Sequence, residues 1–276
     1  MIVGGAPGGG AKRDDRSRAD VQAQKPFAHL ARKIGATSAV PRGSADLSQW
    51  RPPIPNQTQW DGCTSMAAAD LTNAMYASRG KALPFRISQL GLWSDALMNE
   101  MTPGFTAAQL AANNSGVQSA DICIAVGRGI RAQGPCAPGT YCDILTGPVA
   151  PGLDQMTAAA MKPVVGEYRL DEVAADWTND ACVSLDNGIM VYVAMNVGPA
   201  YQAWTPNMPP IDADEAPNTG SGHAMRIDAY ETTSTGEVIF TLPGSWGTGF
   251  ADSGVWRMTA HGVLVRTFDC YPWEIQ

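Results

Sequence analysis

Two residues in this chain have the chemistry of a nucleophile and its base, and they lie far apart in sequence. Cys63 follows Gly62 and opens an Ala- and Met-rich run, Thr64 to Ser78, closed by Gly80. A thiol attacks as its thiolate, and a helix start favours that charge because the first-turn N–H groups and the dipole face it. The base must then come from elsewhere in the fold. Of the three histidines, His29 sits in an N-terminal arm and His261 in a turn near the end, an ordinary surface position. His223 follows Thr219-Gly220-Ser221-Gly222 and opens an apolar strand, which holds an imidazole at a loop–strand junction. A Cys and a His taken alone are common structural residues, so the assignment depends on what surrounds them.

The elements that must position this pair change character along the chain. Phe27, Leu30, Ala31 and Ile34 fall at helical spacing after Pro26 and predict a short amphipathic helix ended by Gly35, packed on the body or on another subunit. Residues 50–57 are Pro-rich and read as extended. The Thr64–Ser78 run predicts a helix, and so do residues 88–101, with Leu90, Trp93, Leu97 and Met101 on one face, and residues 120–132. Residues 189–197, 224–230, 238–242, 255–258 and 263–268 are short, β-branched or aromatic, and separated by turn residues, which predicts strands. Helices early and strands late argue an α+β fold, not alternating β-α-β units.

Composition narrows the function classes. The 276 residues are 45% hydrophobic, enough for a large core, and no apolar run is long enough to cross a membrane. The start has no basic segment followed by an apolar stretch, so no secretory signal is visible; the expectation is a cytosolic chain, one exported by another route, or one already trimmed. Residues 1–45 hold eight basic and three acidic residues, against eleven and twenty-three in the remainder. A basic arm on an acidic body docks on that body or reaches an acidic partner. Residues 1–23 are Gly-rich and then charged, which reads as extended or disordered; the Gly5–Lys12 run lacks the ending and the preceding strand of a phosphate loop. The six cysteines (63, 123, 136, 142, 182 and 270) have no metal-ligand spacing, although Cys136 and Cys142 are near enough to bridge. Met66 and Met75 read as core, and the acidic loop Asp212, Asp214 and Glu215 as a solvated turn. No cofactor, metal or nucleic acid is expected.

The residues around the pair resemble the papain family of cysteine peptidases, especially its bacterial and phage-like members. Pro55-Asn56-Gln57-Thr58-Gln59-Trp60-Asp61-Gly62-Cys63-Thr64-Ser65 is similar to that family's nucleophile segment, where a Gln precedes the Cys by six positions as Gln57 does here. Gly222-His223-Ala224 through Tyr230 resembles its Gly-His-Ala strand. Ser245-Trp246-Gly247-Thr248-Gly249-Phe250 through Val255 resembles its Asn-Ser-Trp-Gly-Thr-Gly block. Weaker similarity at residues 130–136 and 185–191 extends the match over about residues 46–270, in the same order. The resemblance implies that Gln57 and the Cys63 N–H form an oxyanion hole, and that Trp246 packs over the His223 region.

Three departures matter. Gly244, beside Ser245, stands where the family carries the Asn that orients the histidine, so another group must hold the imidazole. Asp61 places a carboxylate two residues before the thiol, which opposes thiolate formation, and Trp60 replaces a disulfide cysteine. The expected architecture is a papain-like, two-lobed α+β fold: a helical lobe over 46–165 with Cys63, a β-rich lobe over 166–276 with His223, and the active-site cleft between them. Residues 1–45 are expected to form a pro-segment or docking arm. The expected activity is a cysteine endopeptidase acting on polypeptides. The alternatives are a weakly active or inactive papain-like module in a larger assembly such as a phage particle, reached through residues 1–45, and a hydrolase of cell-wall peptides. An open cleft with sulfur and imidazole in reach favours the enzyme, and a covered one the module.

Overall fold

The computed structural model describes residues 11–12, 25–33, 35, 40–57, 61–83, 86–89, 91–93, 96, 117–118, 122, 125–126, 168–169, 176–212 and 222–275. Its central element is the helix Cys63–Ser78 (α2), which follows the short helix Phe27–Lys33 (α1). α2 is buried on nearly every face, as an Ala- and Met-rich helix with so few charges must be. Two of its buried hydroxyls are satisfied on nearby backbone carbonyls: Ser65 donates to Gly62 O at 2.9 Å and Thr72 to Ala68 O at 2.7 Å.

α2 packs on an antiparallel three-stranded sheet formed by β6 (Val191–Asn196), β7 (Gly222–Ile227) and β11 (Thr267–Pro272), in the order β11-β6-β7. β6 lies in the middle with Val191 to Met195 all buried, and the register sets His223 opposite Met195 and Ala224 opposite Ala194. A second, four-stranded antiparallel sheet runs β10-β9-β8-β3, from Val255–Thr259, Val238–Pro243, Ala229–Thr232 and Ser44–Asp46. The chain passes from the first sheet to the second at Asp228, whose carbonyl accepts the Leu47 N–H at 2.9 Å. The predicted 224–230 strand is therefore two strands broken at that residue.

Two parallel pairs involve the arm: Ala11–Lys12 (β1) with Val117–Gln118 (β4), and Lys25–Pro26 (β2) with Tyr168–Arg169 (β5). β1 also packs beside β7. α1 sits on the body, with Leu30 fully buried and the Lys33 ammonium 3.1 Å from Glu274.

Elsewhere the structure departs from local reading. The predicted strand at 263–268 begins as a helix, Ala260–Leu264, and the strand proper is displaced to Thr267–Pro272. Thr259 causes this, because its hydroxyl accepts the Gly262 N–H at 2.8 Å and caps a turn that β-branched residues alone would not form. His261 lies in that helix, not in a turn, and its side chain is largely exposed as expected. Two helices were not anticipated: Trp177–Asp186 (α3) and Pro199–Ala203 (α4); Ala260–Leu264 is α5. β3 straddles the expected boundary between arm and body. The predicted helices at 88–101 and 120–132 fall mostly outside the described residues, as do Trp60, Cys123, Cys136, Cys142, Asp214 and Glu215.

Candidate active site

Cys63 is the first residue of α2, with Gly62 before it and the first helical bond running from Met66 N to Gly62 O at 3.0 Å. The amides of that first turn have no partner within the helix, which makes the position electropositive. The sulfur is fully buried and accepts the Ala224 backbone N–H at 3.4 Å. A second N–H dipole thus points at the thiol from the strand that carries His223. Asp61, two residues upstream, is part-buried, and desolvation raises its carboxyl above the ordinary range.

Gln57 is held beside Ser245 by a short antiparallel bridge between Asn56 and Trp246. Gln57 N donates to Ser245 O at 2.7 Å, and Gly247 N donates to Pro55 O at 2.9 Å. Gly247 has φ +85°, and a Cβ there would lie 3.0 Å from the Asn56 side chain, so only glycine lets the two segments close. The Ser245 hydroxyl donates to Gln57 Oε1, which assigns the amide's NH2 to the other end of a fully buried side chain.

His223 is fully buried among aromatic rings. Trp246 lies 4.9 Å away between centroids and Tyr201 5.8 Å. Among the described residues neither ring nitrogen has a hydrogen-bond partner. Burial pushes the imidazole down from 6.5 to about 3, so the ring is neutral throughout the physiological range in this arrangement. The aromatic box continues through Trp256, which stacks on Tyr201 at 4.4 Å and 10° and meets Trp246 edge-on at 5.8 Å. Gly244 faces this box. A Cβ on it would lie 2.7 Å from Trp256 Cζ3 and 3.2 Å from Tyr201 Oη. The missing side chain at 244 is therefore a steric requirement, with the room taken by two rings.

Four residues near this site escaped the sequence reading. Tyr201 and Trp256 carry no motif. Asp70 and Arg226 did carry a signal, a carboxylate within an apolar helix and a guanidinium within an apolar strand. They meet at 2.9 Å with both side chains about 1% exposed, tying α2 to β7 seven residues beyond the thiol and three beyond the histidine. Arg51 holds Asp228 with two bonds of 2.7 and 2.9 Å at the end of the same strand.

No protein-family model matches this chain, and no curated protein matches it. Solved structures do. Xylellain, a cysteine protease from Xylella fastidiosa, superposes with TM-score 0.66 at 15% identity, over 99% of this chain and 99% of that one. ProCathepsin B S9 from Trypanosoma congolense gives 0.64 at 12% identity over 97% and 86% of the two chains. Digestive procathepsin L 3 of the Tenebrio molitor larval midgut gives 0.62 at 17% identity, over 91% and 73%. Together with a buried helix laid against antiparallel sheets, these likenesses show that the chain has the papain-like α+β fold.

Proposed function

We propose that this chain is a cysteine peptidase in which Cys63 is the nucleophile and His223 the general base. The observation that carries the reading is the 3.4 Å contact from Ala224 N–H to the Cys63 sulfur, which sets a helix-start thiol against the histidine strand. In the reaction His223 takes the thiol proton and the thiolate attacks a peptide carbonyl. The oxyanion is held by the Gln57 NH2 and the Cys63 N–H. Collapse expels the amine with the proton from His223, leaving a thioester; a water deprotonated by His223 then releases the acid. Ser245 keeps the Gln57 amide oriented, and Trp246 walls the imidazole.

Residues 1–45 act in this reading as a pro-segment. Cys63 and His223 are both fully buried, and the arm's β1 packs beside β7. A neutral imidazole pushed down to about 3 belongs to a silent, sealed site. The superposition on xylellain over 99% of this chain, and the likeness to two chains whose names mark them as proforms, support assigning the arm to the fold rather than to a foreign tail. The body then consists of a helical lobe over 46–165 and a β-rich lobe over 166–276.

The buried pair also favours a second reading, a papain-like module without turnover. Reaction with iodoacetamide and hydrolysis of casein, before and after limited proteolysis within the arm, decide between them. The peptidase labels at Cys63 ahead of Cys182 and loses hydrolysis on labelling. Hydrolysis that survives in Cys63→Ala would overturn the assignment, and a parallel zymogram on peptidoglycan tests for wall-peptide cleavage.

A further inference from the structure

A general base works only if its ring is held in one tautomer, with the hydrogen on the nitrogen away from the nucleophile. Here Gly244 offers no side chain for that purpose, and Trp256 excludes one. Tyr201 reaches the same space from α4. Its ring is locked three ways: stacked on Trp256, edge-on to Trp246 at 5.0 Å, and fixed through its backbone carbonyl, which accepts Trp256 Nε1–H at 2.8 Å.

The phenol hydrogen is already committed. Tyr201 Oη donates to Met225 Sδ at 2.8 Å. Met225 lies two positions after His223 on β7, so both side chains leave the same face of the strand, and the phenol oxygen stands over that face. With its hydrogen placed on a thioether, a hydroxyl oxygen keeps lone pairs for an N–H donor. The phenol is held well above its ordinary titration range by burial and by the proximity of Cys63, so it stays a neutral hydroxyl.

We propose that Tyr201 is the positioning residue for His223: its oxygen accepts the N–H of the imidazole nitrogen turned away from Cys63, leaving the other nitrogen bare toward sulfur. The inference rests on the peptidase reading above. In the sealed structure the imidazole nitrogens are unbonded among the described residues; the proposed bond to Tyr201 forms only once the ring turns to a working rotamer. As His223 receives the thiol proton the ring carries hydrogen on both nitrogens, and the same phenol oxygen keeps its N–H. No proton leaves Tyr201 at any step.

The test compares the full chain with Tyr201→Phe, which keeps every ring contact and removes only the oxygen, under conditions where the wild type hydrolyses casein. The expected result is a kcat lower by about 10–100-fold with KM changed less than about twofold. In addition, the pH profile of Cys63 alkylation loses its acidic limb, a readout that loss of packing alone would not move. A folded Tyr201→Phe with wild-type kcat and alkylation profile overturns the proposal. Should Tyr201→Phe fail to fold, Met225→Leu decides. Freeing the phenol hydrogen to compete for the imidazole should shift the profile and lower kcat about three- to tenfold, and an unchanged profile overturns the role. A wild type that neither hydrolyses peptides nor labels preferentially at Cys63 removes the peptidase reading, and the Tyr201 role with it; a wild type that does both leaves Tyr201 to be judged by the variants alone.

Discussion

The two ends of β7 are buried alike and treated in opposite ways. At its start His223 lies among Tyr201, Trp246 and the neighbouring Trp256, and desolvation pushes out its protonated form. Three residues on, Arg226 is fully enclosed and carries its charge between Asp70 at 2.9 Å and Asp228 at 4.0 Å, with Arg51 closing the chain from outside. A single strand thus buries one side chain among rings and another among carboxylates, and at the second end burial still raises the Asp70 carboxyl against the pull of Arg226. The two ends differ in their partner sets, not in their burial. The ionic end fastens the thiol's helix to the histidine's strand, and the aromatic end surrounds the imidazole with rings.

The largest effect should come from breaking the ionic end. Arg226→Met leaves Asp70 buried without its 2.9 Å ion-pair partner, while Asp228 keeps both bonds from Arg51, and should destabilise the fold by about 3–5 kcal/mol in urea unfolding. The double variant Arg226→Met/Asp70→Asn should recover part of that loss, because the stranded charge is gone. Equal losses in the single and double variants would mean that the charges are not coupled.

Next comes acid. His223 falls from 6.5 to about 3 on folding, so the unfolded chain binds its proton first. The stability tied to the neutral ring is fully present above pH ~6.5 and is lost as the pH falls toward about 3, which amounts to roughly 2 kcal/mol between pH 7 and 5. Asp180 acts in the opposite sense: its carboxyl is raised to about 6 by burial and by Asp176, so its contribution fades as the pH rises through that value. Unfolding at pH 7 and pH 5 in wild type and His223→Gln isolates the imidazole. The variant should lose less stability on acidification, and an identical slope would place the acid sensitivity elsewhere.

Gly244→Ala tests how tightly the aromatic end is packed. A methyl 2.7 Å from Trp256 Cζ3 forces a ring to move and should cost about 1–3 kcal/mol, read as a lower melting temperature with changed near-ultraviolet tryptophan dichroism. The smallest effect is the control. Arg257 and Glu231 pair across β10 and β8 in the open, and Arg257→Ala should change stability by less than about 1 kcal/mol, against the several expected for Arg226.

Much of the site can be read locally because its parts are local. A glycine before Cys63 and an Ala-rich run after it specify a helix start, and Gly222 before an apolar segment specifies a strand that begins with an imidazole. The strands at 191–196, 238–243 and 255–259 follow from β-branched runs between turns. The misreadings have the opposite character. The turn at 260–264 depends on one hydroxyl cap, α4 is too short to show a period, and the break at Asp228 depends on a change of sheet.

By itself, then, the sequence determines where a thiol and an imidazole stand and which backbone elements begin at them, because propensity and capping act within a few residues. Only the tertiary structure decides the environment those groups meet. Asp70 finds Arg226 across 156 positions, Tyr201 and Trp256 fill the space beside Gly244, and the arm's β1 packs along the histidine strand. Hydration, charge pairing and steric room are set by neighbours distant in the chain, so the state of His223 was not present in any local pattern.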